Sequence, residues 1–175
     1  LLRSFGWLEL LTTGVVLDSV AISQRLYLIP ASDKDSAVFA SFALAEKYVT
    51  GSYVLNVDDS GKSWTLNSER AGLVETGAVG DSIGRKLGFV WTPAAQALSA
   101  GRSVVFSVIT PREAGQRLLA NFTTALNNQQ QANFIRLSLT GSNAAKTAAI
   151  LNDVTTQFEE VAADLKRRKL AILTE

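Results

Sequence analysis

The chain has 175 residues, 47% of them hydrophobic, and a formal net charge of +1. That is enough apolar material for one core, and too little charge to draw the molecule onto nucleic acid. Cysteine and histidine are both absent, which removes thiol nucleophiles, disulfides, Cys or His metal sites and His-based triads together.

The lack of cysteine suits cytosol and periplasm alike. Methionine is also absent. A complete translation product starts with Met, so the sequence reads as processed or excised from a longer protein. No run approaches the ~20 apolar residues of a membrane span.

In chain order, residues 4–26 read as a first helix. Ser4 is its cap, Trp7 anchors its start, and Leu8, Leu11, Val15, Leu17, Val20 and Ile22 form a broad apolar face. Gly14 weakens it by ~1 kcal/mol relative to Ala and is the expected break point. Tyr27 to Pro30 leaves the helix extended, and 31–36 is a polar loop. Val38–Leu44 is a candidate strand, with a short helix as the alternative. Tyr53–Val57 and Lys62–Leu66 flank an Asp-Asp-Ser-Gly turn and predict a hairpin. A strand follows over 71–78, a short one at 89–91, and one helical turn at 94–98. These elements form a β-rich insertion at about 37–92.

The C-terminal part is more regular. Val104–Ile109 is apolar at nearly every position and predicts a central strand buried on both faces. Thr110 and Pro111 open a helix over 111–127 with an apolar stripe at Ala114, Leu118, Leu119, Phe122 and Leu126. Residues 134–140 read as a strand, and strand–helix–strand predicts a right-handed parallel crossover. Ser142 or Asn143 caps a last helix of more than ~30 residues, ~45 Å long. Along it Leu151, Val154, Phe158, Val161 and Leu165 step by 3, 4, 3 and 4, a heptad seam. One small sheet cannot cover that length, so the distal part needs a partner. No Gly, Asn or Pro stops the helix before Glu175, so it is expected to continue in the longer protein.

Four features invite chemistry. The glycines of 77–84 suggest a phosphate loop but lack the Gly-Lys-Ser/Thr ending and the dinucleotide spacing, so a turn-rich connection is expected. Asp58, Asp59 and Asp81 sit at turns, where Asp serves the backbone, and no histidine can act as their base. Trp64 and Trp91, with Tyr48 and Tyr53, offer a sugar-stacking platform, against the ordinary reading that strand aromatics are core. Lys166, Arg167, Arg168 and Lys169 offer contact with anionic glycan or lipid phosphate, against a solvated helix face paired with Glu159, Glu160 and Asp164.

One resemblance is carried by particular residues. "VVFSVITPREA", "FIRLSLTGSNAAKTAAILNDVTTQF" and "ADLKRRKL", with "LLRSFGWLELL" at the start, resemble the periplasmic Wzz-type domain of polysaccharide co-polymerases. The likeness covers roughly 1–26 and 103–175; Ala148, Leu151 and Asn152 match the family's Ala-x-x-Leu-Asn, and Ala144 stands where many relatives have Pro. The resemblance implies a membrane-anchored ring on the periplasmic face of a bacterial inner membrane. It implies partners in copies of itself, a polysaccharide polymerase or outer-membrane exporter, and the glycan chain. Both membrane spans, and any tyrosine kinase, would lie outside this sequence. The expected fold is therefore α+β: one domain over 1–175, a mixed sheet packed by helices, the β-rich insertion and the long C-terminal helix. No catalytic residue and no cofactor are expected; a carbohydrate-binding module is the alternative function.

Overall fold

The structure, a computed structural model, describes residues 14–126 and 135–172. The fold is α+β, with a five-stranded antiparallel sheet, two small two-stranded sheets and three α-helices among the described residues. It divides into two compact units. One is the continuous stretch Leu28–Thr110; the other joins 14–27 to 111–126 and 135–172.

The Leu28–Thr110 unit is built on a sheet of order β1-β7-β3-β4-β5. Its strands are β1 (Leu28–Pro30), β3 (Gly51–Val57), β4 (Ser63–Ser68), β5 (Gly72–Ala78) and β7 (Ser103–Val108). The β3–β4 hairpin forms where the Asp-Gly turn predicted it, pairing Val57 with Trp64 and Tyr53 with Ser68. Pro30 lies on the edge strand β1, where a missing ladder donor is tolerated. Alternation is strict on β3, β4 and β7. Tyr53, Leu55, Val57, Trp64, Leu66, Val104, Phe106 and Val108 are buried, and the residues between them face outward.

The inner face is closed by the unit's own irregular segments. A 3-10 turn at Asp33–Asp35 leads into further turns, with Val38 N–H donating to Asp35 and Phe42 N–H to Phe39. This brings Val38, Phe39 and Phe42 inward. The strand expected over 38–44 shrinks to β2 (Ala43–Leu44), paired with β6 (Phe89–Val90). The apolar spacing 38, 39, 42 belongs to these tight turns rather than to extended chain. Phe39 stacks on Trp91 at 5.1 Å, and Phe106 meets both ring systems edge-on. Gly84 and Gly88, both left-handed, bracket the turn Arg85–Leu87; Leu87 within it and Ile83 just before it are buried.

In the other unit, α1 (Val15–Ser23) begins at Gly14, whose φ is 81°. The expected break at Gly14 is thus a helix start; residues 4–13 of the expected helix lie outside the described residues. Arg25, with φ 51°, closes the helix, and Leu26 N–H donates to Ala21. The buried side is Val16, Leu17, Val20 and Ala21, whereas Val15 and Ile22, expected on the apolar face, are exposed. Helix α2 (Pro111–Leu119) packs on α1 through Gly115, where an added Cβ would lie 3.2 Å from the Leu17 backbone carbon.

Four expectations fail. The helix expected over 111–127 ends at Leu119, and Phe122–Leu126 is strand β8. Asn121 terminates the helix: its N–H reaches Leu118 and its side chain caps Arg117. The β-branched pair Thr123-Thr124 then favours strand. Because β8 follows α2 at once, β9 (Ile135–Leu139) pairs antiparallel with β8 and not parallel with β7. The 104–109 and 134–140 strands therefore lie in different sheets, and the mixed sheet is replaced by wholly antiparallel pairing. Nor is β7 apolar-buried on both faces, since Val105 is exposed.

Candidate functional site

The long helix α3 (Ala144–Ile172) runs 29 residues, about 43 Å at 1.5 Å per residue. Asn143 caps it as expected, its side-chain oxygen accepting the Lys146 N–H at 2.9 Å. The first half is fixed within its unit. Ile150 and Val154 are buried in a cluster with Val16, Leu17 and Val20 of α1 and Leu118 of α2. Asp153 accepts hydrogen bonds from Ser23 Oγ and from Gln24 Nε2, binding α3 to the end of α1.

The heptad seam therefore divides. Val154 is fully buried, and Phe158 and Val161 are partly buried against the same cluster, while Leu151 is half-buried. Leu165 is 45% exposed and Leu170 56%. Among the described residues the packed cluster ends at Val161, and α3 runs on for about three further turns that carry Leu165 and Leu170.

The cationic tract lies on the same projecting end. Lys166, Arg167 and Arg168 are exposed; the Lys169 side chain lies outside the described residues. Arg168 pairs with Asp164 at 2.8 Å, one turn earlier. Consecutive helical residues fan about 100° apart, so these cations do not form one face.

The aromatic platform is overturned. Trp64 and Trp91 are each 1% exposed. Trp64 Nε1 donates to the Ala78 carbonyl at 2.8 Å and Trp91 Nε1 to the Val38 carbonyl at 2.9 Å. Both are core, each polar atom satisfied, and neither can stack on a sugar. Tyr53 is equally buried; its hydroxyl donates to Val49, and burial pushes its phenol pKa up against a smaller opposing effect of Arg70.

The acidic residues serve turns. Asp81 accepts the Ala78 N–H. Asp58 accepts from Ser60 Oγ and from the Lys62 and Ser63 N–H groups, and these bonds, the Ser60 one first, lower its pKa to about 2. Among the described residues no group of three acidic side chains is placed to hold a metal ion, and no helix is long and apolar enough to cross a membrane. A cleft between α1 and α2, lined by Leu17, Asp18, Arg112 and Gly115, measures about 120 Å³, well below the ~300 Å³ of a small-molecule site.

The sequence reading missed two residues that hold α3 in place, Ile150 and Asp153, and Gly115, which lets α2 approach α1. Ile150 falls just outside the heptad pattern, and Asp153 and Gly115 gain their roles only through contacts distant in sequence. No protein-family model matches the chain, and no curated protein matches it either.

Proposed function

We propose that this chain is the periplasmic scaffold domain of an inner-membrane polysaccharide co-polymerase, acting in chain-length control or export of a surface polysaccharide. The observation that carries this reading is the projecting end of α3. A helix capped and packed over its first half continues past the packed cluster of the described residues with Leu165 45% exposed. Covering an exposed leucine with another apolar surface is favourable, by about 25 cal/mol for each Å² removed from water. Neighbouring copies in a membrane-anchored ring supply such a surface, as does continuation of the helix toward a membrane span.

The sequence resemblance supports the same reading, since its motifs fall on β7, α2, β9 and α3. The role is non-catalytic. The scaffold brings copies together around the growing glycan, beside a polymerase or an exporter. The test is in the cell that makes the full-length protein. Leu165→Asp is expected to change the length distribution of its surface polysaccharide, read on a gel, at unchanged protein abundance. An unaltered distribution with Leu165→Asp and Leu170→Asp combined would overturn the proposal.

A further inference from the structure

The projecting end of α3 carries a second pattern besides the heptad seam. Thr155, Glu159, Ala162, Ala163, Lys166 and Leu170 recur at three- and four-residue spacings, so they share one stripe of the helix. At ~100° per residue the stripe lies ~80–180° around the axis from buried Val154. Ala162 is half-buried and the other five are exposed.

The two charges on this stripe meet no opposite charge on their own helix. Ala162 and Ala163 stand three and four residues after Glu159, and Thr155 and Thr156 stand before it. The same two alanines precede Lys166 at that distance, and Lys169 and Leu170 follow it. Those spacings are the ones at which helical neighbours pair. Asp164, the acid nearest Lys166, is engaged by Arg168 at 2.8 Å. The stripe is instead its own complement. Laid antiparallel on a second copy, with the centre between Ala162 and Ala163, it sets Glu159 of each copy opposite Lys166 of the other. Thr155 then falls opposite Leu170, and alanine opposite alanine.

We propose that α3 pairs with α3 of a second copy of this chain, antiparallel, about a two-fold axis at Ala162 and Ala163. The alanines let the helices approach to about 8 Å, which brings both Glu159–Lys166 pairs within reach. Parallel pairing in register sets Glu159 on Glu159 and Lys166 on Lys166, and like charges repel. A two-fold interface requires that residue i meet residue j and j meet i; the stripe meets that condition, which selects a second copy as the occupant. The contact is small and its bridges are exposed, so the pair is weak and gains from the high effective concentration of an assembly. A two-fold pair is closed, so a larger assembly needs another contact, for which Leu165 on the adjacent face is exposed. The inference rests on the scaffold reading only in taking the end of α3 as the element that meets other copies.

The experiment is oxidative cross-linking of the 175-residue chain, which has no cysteine of its own. Chains with Thr155→Cys are mixed with chains with Leu170→Cys at about 100 µM. The mixture is expected to give a disulfide dimer and neither variant alone, because antiparallel pairing holds like positions ~22 Å apart, beyond disulfide reach. Adding Lys166→Glu to both chains is expected to slow the linking at least tenfold, and adding Glu159→Lys as well to restore it, with thermal unfolding unchanged throughout. No dimer from the mixture, a rate indifferent to Lys166→Glu, or no recovery on the double exchange overturns the proposal. So does a dimer from Thr155→Cys alone, which would mean parallel pairing. Each of these failures leaves the scaffold reading to its own readout, the polysaccharide length distribution.

Discussion

Asp58 and Gly88 show what single residues contribute. Asp58 closes the β3–β4 hairpin as an ionised acceptor, and its carboxyl is held near pKa 2 by the Ser60 hydroxyl first and then by turn N–H groups. A depressed carboxyl stabilises the folded state above its unfolded pKa of 3.8, and that stabilisation is lost as pH falls toward the folded value. Wild type is therefore expected to be more stable than Asp58→Ala at about pH 6 in urea unfolding, with the gap closing from about pH 4 to pH 2. A carboxyl titration midpoint near 4 by NMR would contradict this. Gly88 is held at φ 79°, and an added Cβ there would overlap the Lys47 carbonyl oxygen. Gly88→Ala is expected to cost roughly 2 kcal/mol or more, from left-handed strain plus backbone collision. A loss below about 0.5 kcal/mol in the same unfolding experiment would show that the Lys47 segment can yield.

At the scale of elements, α3 is two different surfaces on one rod. Val154 is fully buried while Leu165 is 45% exposed, although both sit on the same heptad pattern. Val154→Asp is expected to unfold its unit, since it buries an unpaired charge. Leu165→Asp is expected to leave the stability of the isolated chain within about 0.5 kcal/mol; thermal unfolding distinguishes the two. Periodicity made α3, its Asn143 cap and the β3–β4 hairpin legible, because those signals are local. It could not tell which part of the seam meets the molecule's own core, since that depends on α1 and α2, far away in sequence. The same limit hid the fate of Phe122 and Leu126. Their helical spacing from Leu118 is genuine, yet Asn121 and the two threonines turn the chain into β8. Val38–Leu44 read as a strand or a short helix, and the tight turns that bury Val38, Phe39 and Phe42 were not legible. Trp64 and Trp91 could not be assigned to core or surface until partners for their indole N–H groups were seen.

At the scale of the whole molecule, the chain is two compact units with separate cores. The Leu28–Thr110 unit is continuous in sequence and holds Trp64 and Trp91 in its core. Expressed alone as 28–110, it is expected to unfold cooperatively with the fluorescence of buried tryptophan. Water-exposed emission before denaturant is added would mean that it depends on the rest of the chain. The helical unit carries the exposed end of α3, and the proposed assembly depends on that end. The most direct measurement is light scattering of the full-length protein in detergent beside this 175-residue chain. The scaffold account predicts a large closed oligomer for the full-length protein, reduced in mass by Leu165→Asp. A monomeric full-length protein would contradict it.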